Sequence, residues 1–159
     1  MKETRRFLTP AQSLPVMRKY CAYQERCHQE VRTRLLEYGV RGNDLENVMI
    51  KLIEEDFLNE ERFAIAFARG KFRMNDWGMK KIEMELKMRG VSAYCIRKAL
   101  DQIDKDDYRK SLHEMVAKKA ANVKAANSYA RKQKVAQYLV GKGYESELVW
   151  EAVNDFFKS

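Results

Sequence analysis

Apolar side chains recur every three or four residues along most of the chain, which is the spacing of helices that bury one face. Phe63 and Phe67 are four residues apart, and Ile82 and Leu86 repeat the same interval. The members of such a pair lie on one side of a helix. No run of β-branched residues has a period of two, and only two prolines and seven glycines interrupt the chain. The sequence therefore predicts an all-α fold.

Helix starts and stops are marked best between residues 58 and 91. Asn59 is a predicted N-cap, and two glutamates follow it at the positive end of the helix dipole. The residues Asn75–Gly78 predict a turn, and Gly90 stands where a helix needs a left-handed C′ residue. Further predicted caps are Ser13, with Pro15 in the first turn of its helix, then Asn43 or Asp44, and Ser92.

An internal repeat of about fifty residues is the most informative feature of the sequence. In each copy a leucine follows an apolar residue by four positions, and a glycine follows the leucine by four more. The copies are offset by 51 residues (31 to 82) and 53 residues (82 to 135). The aligned residues are Val31, Ile82 and Val135, then Leu35, Leu86 and Leu139, then Gly39, Gly90 and Gly143.

The repeat predicts three tandem three-helix units at residues 13–57, 58–104 and 105–159, after a flexible basic tail at residues 1–12. A unit of about fifty residues has only a marginal core of its own. We therefore expect the units to stack into an elongated array, which could be curved. An array with two capped ends suggests a monomer.

Composition narrows the functional classes. The formal net charge of +8 favours an anionic partner. Three cysteines without a CxxC pattern indicate reduced thiols in a cytoplasmic protein, and metal binding is not expected. No apolar run follows the first six residues, so no secretory signal is expected. The longest apolar stretch, Phe63–Ala68, is too short to span a bilayer, and no membrane association is predicted.

Two basic stretches are candidates for contact with that anionic partner. The first belongs to the middle unit, and the second runs from Met115 to Tyr144 without a single acidic residue. A lysine-rich helix face is often only solvated, but such faces usually mix both signs, and this one does not. Tyr129 and Tyr138 among the lysines could also serve single-stranded DNA. The candidate contact residues are Arg69, Lys71, Arg73, Lys80, Lys81, Arg131, Lys132 and Lys134.

Other conspicuous residues have structural interpretations beside functional ones. Arg62 follows two acids and is expected either to contact those acids or to bridge to a neighbouring helix, with a partner contact as the alternative. Phe63, Phe67 and Phe72 are expected in the core. Trp77, in a turn beside a glycine, could equally cap the core or contact a partner. The two histidines belong to no nucleophile or metal arrangement, and no nucleotide-binding or hydrolase motif occurs, so neither an enzyme nor a cofactor is predicted.

With the repeat established, the sequence resembles the bacterial RecX family of recombination regulators. The resemblance is strongest in the middle unit, where an acidic pair precedes Arg-Phe-Ala, a basic helix end and a glycine turn follow, and Leu-x-x-x-Gly-Val closes the pattern. These elements are Glu60–Ala64, Arg69–Arg73, Gly78 and Leu86–Val91. The outer units resemble the family more loosely. The chain departs from the family pattern at Glu60-Glu61, where an aspartate pair is usual, and at Arg26-Cys27-His28, where the family often has a polar cap.

The resemblance implies a three-repeat helical regulator that binds RecA. Family members lodge in the groove of the RecA–DNA filament and restrain its ATPase, strand-exchange and co-protease activities. For this chain two other functions remain open from the residues themselves. One is a general helical module that binds single- or double-stranded DNA without a dedicated protein partner. The other is a scaffold that binds an acidic protein and has negligible affinity for DNA.

Overall fold

The computed structural model describes residues 6–158, and within this range it contains nine α-helices and no β-strand. The predicted all-α fold is confirmed. The helices are α1 Pro10–Tyr23, α2 His28–Glu37, α3 Gly42–Glu54, α4 Glu60–Asn75, α5 Met79–Met88, α6 Ala93–Asp101, α7 Lys105–Asn122, α8 Ser128–Gly141 and α9 Ser146–Lys158.

The helices pack in three consecutive groups of three, α1–α3, α4–α6 and α7–α9. The first group, here called group 1, has its own apolar core, which includes the fully buried Met17 and Leu52. The other two groups, called groups 2 and 3, share one continuous core that runs from Phe63 to Val153. Only Cys27 of group 1 is buried in that second core. The helices therefore form three groups, but their buried apolar side chains form two cores.

The aligned positions of the repeat have the same conformation in all three groups. The six apolar residues at the first two aligned positions are 0% exposed. Gly39, Gly90 and Gly143 all have positive φ angles, of 82°, 76° and 99°. In each group the N–H of the residue after the glycine donates to the carbonyl of the aligned leucine, at 3.0, 3.1 and 3.2 Å. The glycine N–H donates to the carbonyl of the residue that follows this leucine, so each of these three helices ends in a Schellman motif.

The predicted start of the first helix was wrong. Thr9 is the N-cap of α1, and its hydroxyl accepts from the Gln12 N–H while the Gln12 side chain accepts from the Thr9 N–H. Ser13 is buried inside the helix, where its hydroxyl donates to the Pro10 carbonyl. Pro15 therefore lies beyond the first turn. Residues 1–5 of the predicted flexible tail lie outside the described residues.

The predicted cap of the third helix was also wrong, whereas two others are confirmed. Helix α3 begins at Gly42 after Arg41, and no side chain caps it. Asn59 accepts from the Arg62 N–H, and Ser92 accepts from the Cys95 N–H, as the sequence predicted.

The joint between groups 2 and 3 is made by backbone contacts. The Gly78 N–H donates to the Lys142 carbonyl at 2.8 Å, and the Lys80 N–H donates to the Gly143 carbonyl at 2.9 Å. A Cβ atom on Gly78 would overlap the backbone of Gly143, so the two turns interlock. The Tyr108 hydroxyl accepts from the Met79 N–H at 3.0 Å. Backbone pairing and a shared core hold these two groups together.

The joint between groups 1 and 2 is made mainly by polar side chains. The Arg62 guanidinium donates to Glu25 at 2.6 Å and to the Asp56 carbonyl at 2.9 Å. It also pairs with the Asp56 carboxylate at 3.1 Å. His28 lies 3.8 Å from the Glu60 carboxylate across the same joint. Arg62 thus bridges to the preceding helices, which is one of the two structural roles that the sequence left open.

Candidate nucleic-acid interface

The basic residues predicted in the middle unit divide between two surfaces. Lys71 lies beside Phe67 and Trp77, with its ammonium 5.6 and 4.9 Å from the two ring centres. Arg69 and Arg73 line a different, small cavity together with the acidic Asp104 and Asp107. The reason is the helix period, because positions two residues apart point to opposite sides of α4. These residues therefore do not form one continuous patch.

Trp77 lies at the centre of the first surface. The ring is half-buried, and its edge faces Phe67 with 6.3 Å between ring centres. The Lys81 ammonium lies 4.5 Å from the Trp77 ring centre, and the Arg89 guanidinium lies 4.9 Å from the Phe67 ring centre. Lys71, Lys81 and Arg89 are thus each held against an aromatic ring. Trp77 packs on the core and also contributes to a basic surface.

A cleft of about 610 Å³ opens between groups 1 and 2 beside these rings. Group 1 forms one wall, where Arg34 and Arg26 lie 4.6 and 3.8 Å from the ring centre of Tyr20. Helices α4 and α5 form the other wall. We call this feature the junction cleft and define it by Tyr20, Arg34, Phe63, Phe67, Lys71 and Arg89.

The charges around the junction cleft are only partly paired. Glu30 accepts from the Cys27 N–H and lies 3.7 Å from Arg26, and Arg89 lies 3.7 Å from Glu85. Among residues 6–158, no carboxylate lies within ion-pair distance of Arg34, Lys71 or Lys81. These three cations are available to an anionic ligand.

The second basic stretch forms a hairpin of α7 and α8, in which several cations already have structural contacts. Arg131 donates twice to the Ala120 carbonyl, at 2.6 and 3.1 Å, near the negative end of α7. The Lys134 ammonium donates to the Lys124 carbonyl at 2.9 Å. Lys132 lies 5.9 Å from the Phe157 ring centre. Arg131 therefore stabilises the hairpin as well as adding charge to its surface.

Three further observations concern a buried thiol, metal binding and membrane spans in the described residues. Burial raises the pKa of the Cys21 thiol to about 11, so this thiol stays protonated at neutral pH. In the range 6–158, no group of three or more His, Cys, Asp or Glu side chains is arranged to hold a metal ion. No helix in that range is both long and apolar enough to cross a bilayer.

Three of the six residues that define the junction cleft were not singled out from the sequence. Lys71 and Lys81 were predicted contact residues, and Phe67 and Lys71 could be paired from their spacing of four. Tyr20 lies on α1, Arg34 lies on α2, and Arg89 directly follows α5, so these three residues come from two groups. Their proximity depends on how group 1 sits on group 2, and no local pattern in the sequence encodes it.

The fold and the cleft define a tandem helical-repeat protein with a basic, aromatic surface. The family models "RecX, second three-helix domain" and "RecX, third three-helix domain" match residues 59–100 and 106–153. The chain belongs to the RecX family.

Curated relatives agree with this assignment, and a solved structure shares the fold. "Regulatory protein RecX" of Halalkalibacterium halodurans is 31% identical over 136 residues, which are 86% of this chain and 51% of the relative. The protein of the same name from Streptococcus uberis is 27% identical over 142 residues, with coverage of 85% and 51%. The chain thus spans about half the length of these curated relatives. The crystal structure of RecX from Lactobacillus salivarius has a TM-score of 0.86 at 19% identity, with 95% of this chain and 98% of that one covered.

Proposed function

We propose that this protein is a regulator that binds the RecA–DNA filament and modulates, mainly by inhibition, the recombinase, ATPase and co-protease activities of RecA. Membership of the RecX family carries the proposal, because the relatives are named regulatory proteins. The protein acts in the cytoplasm as a monomer and catalyses no reaction of its own.

The proposed mechanism is steric and electrostatic. Residues 13–57, 58–104 and 105–159 act as three repeats that together follow the filament, bridging adjacent subunits or occupying space that a second DNA strand needs. The unpaired cations supply attraction to an anionic filament. The proposed contact residues are Arg69, Lys71, Arg73, Lys80, Lys81, Lys132 and Lys134, with Arg131 contributing mainly by holding the α7–α8 hairpin.

The test is DNA-dependent ATP hydrolysis by RecA of the same organism with this protein added below one molecule per RecA. We expect inhibition by the unchanged protein and an at least fivefold higher half-inhibitory concentration for Lys80→Glu/Lys132→Glu, since about two favourable charge contacts become repulsive. The control Lys19→Glu/Lys51→Glu reverses two exposed charges of group 1 and so matches the change in net charge. It should inhibit as the unchanged protein does.

Two results would contradict the regulator proposal. If RecA hydrolyses ATP at the same rate with and without the protein, and the protein binds bare DNA tightly at moderate salt, the general DNA-binding module is favoured. If it affects neither RecA nor DNA, the acidic-protein scaffold becomes the better hypothesis. Salt-titrated binding to bare single- and double-stranded DNA separates these two alternatives.

A further inference from the structure

We infer that the junction cleft and the adjoining Trp77 bind a segment of single-stranded nucleic acid, with the bases against the aromatic and guanidinium planes and the phosphates against the unpaired cations. The inference deepens the proposed function and rests on it for its biological setting, although the binding itself can be measured without RecA. It assigns this ligand to groups 1 and 2, away from the more basic α7–α8 hairpin.

Cations are paired with aromatic rings on both walls of the cleft. Arg34 lies over Tyr20 on one wall, and Arg89 lies over Phe67 on the other. A guanidinium that stacks on a ring is held in one orientation, so it loses little freedom when a base or a phosphate contacts its open face. Lys71 and Lys81 extend the same arrangement to Trp77.

Three cations of this surface lack the acidic partner that neighbouring cations have. Arg34, Lys71 and Lys81 have no carboxylate within ion-pair distance among the described residues, although the chain carries 23 acidic residues. Neighbouring cations such as Arg26 and Lys87 do have such partners, Glu30 and Glu83. A phosphate backbone that enters the cleft would supply the missing negative charge and release condensed counterions.

A single strand fits this surface better than other anions do. A duplex keeps its bases stacked inside and cannot place them against the partly exposed Tyr20 and Phe67, whereas the bases of a single strand are available for stacking. An acidic peptide would use the cations, but it gains little from the aromatic walls.

The experiment uses Trp77 as the reporter. The chain has two tryptophans, so Trp150→Phe leaves Trp77 as the single emitter. Oligothymidylate of about 12 nucleotides is titrated at low salt, and Trp77 quenching is followed together with the anisotropy of a labelled copy of the oligonucleotide. We expect quenching and anisotropy to saturate together, because stacking near the indole accompanies binding.

The matched variants in the same background are Arg34→Glu/Lys71→Glu and Lys19→Glu/Lys51→Glu, which change the net charge equally. The cleft variant should bind oligothymidylate at least about tenfold more weakly, and the control variant should lose less than about threefold. Helical circular dichroism and thermal unfolding establish that both variants are folded. A third variant, Trp77→Phe, keeps the charges and should weaken binding while leaving the salt dependence unchanged.

Several results would overturn the inference. Equal affinities of the cleft variant and the control would place the DNA elsewhere, as would saturating anisotropy without Trp77 quenching. A duplex that binds and quenches as strongly as the single strand would exclude the proposed base stacking. A polyglutamate peptide that quenches Trp77 while oligothymidylate does not would assign the cleft to an acidic protein. None of these results depends on the RecA assay, so the two proposals can fail separately.

Discussion

At the scale of single residues, two tyrosines at the joint of groups 2 and 3 have contrasting environments. The Tyr108 hydroxyl accepts from the Met79 N–H and donates to Glu145 at 2.8 Å. The Tyr144 hydroxyl, 0% exposed with its residue, has no hydrogen-bond partner in the described part of the chain. The rings stack with 5.0 Å between their centres. The Tyr108 hydroxyl thus stabilises the joint, whereas burial of the Tyr144 hydroxyl without a partner lowers the free energy of unfolding.

The paired variants Tyr108→Phe and Tyr144→Phe should therefore have opposite effects. Tyr108→Phe removes the hydroxyl that accepts from the Met79 N–H at the start of α5, where Gly78 provides no side-chain cap, and should lower the free energy of unfolding by about 1–2 kcal/mol. Tyr144→Phe removes an unsatisfied buried hydroxyl and should leave stability unchanged or raise it by up to about 1 kcal/mol. Urea unfolding at pH 7 measures both. A loss of more than about 1 kcal/mol for Tyr144→Phe would show that its hydroxyl is satisfied in solution.

The pH of that measurement matters, because burial raises the pKa of both phenols above the ordinary value. A raised pKa in the folded state means that the folded protein holds these protons more tightly than the unfolded chain does. The corresponding stability is complete below the unfolded pKa of about 10 and is lost as the pH rises above it. At pH 7 the comparison therefore reports hydrogen bonding and packing alone.

At the scale of helices, the three glycine stops share one backbone motif but not one environment. A Cβ atom on Gly90 would lie 3.1 Å from the flexible amide of Gln29. On Gly143 it would lie 2.6 Å from the backbone nitrogen of Lys81, in the interlocked joint. Gly70 lies inside α4 with nothing within 4 Å of a Cβ atom. The same substitution should therefore have three different outcomes.

We expect Gly90→Ala to cost about 1–2 kcal/mol, which is the strain of a left-handed alanine. Gly143→Ala should cost about 1–3 kcal/mol more, because the joint must also move apart. Gly70→Ala, the control, should stabilise by about 0.5–1 kcal/mol through lower chain entropy in the unfolded state. Chemical denaturation measures the free energy of unfolding of the three variants and so ranks them. Equal costs at positions 90 and 143 would mean that the joint is looser than the backbone contacts indicate.

Helices with local signals could be predicted from the sequence, and those without them could not. The Leu-x-x-x-Gly stops and the caps at Asn59 and Ser92 are encoded within a few residues. Thr9 and Gln12 form a capping box, but the residues around them show no apolar period, so the start of α1 was missed. The aromatic and basic walls of the junction cleft come together only through the placement of group 1 beside group 2, which lies beyond any local pattern.

At the scale of the whole molecule, the two joints differ in kind. Groups 2 and 3 share one apolar core and pair through backbone groups, whereas group 1 has a separate core and is attached largely by Arg62. The Arg62 side chain is 38% exposed, so water and salt weaken this attachment more than they weaken a buried core. The junction cleft lies at this weaker joint. Its width therefore depends on the Arg62 contacts between groups 1 and 2.

This asymmetry predicts that group 1 opens separately from the rest of the molecule. In native-state hydrogen exchange at low urea, amides of α1–α3 should exchange with a lower opening free energy than the protected amides of α4–α9, because few apolar contacts must break. Arg62→Ala should accelerate exchange in α1–α3 about threefold to tenfold and change α7–α9 little. Lys51→Ala, an exposed change within group 1, is the control and should leave both ranges as they were. A single opening free energy for all nine helices, unchanged by Arg62→Ala, would mean that the three groups unfold as one cooperative unit and that the cleft does not open independently.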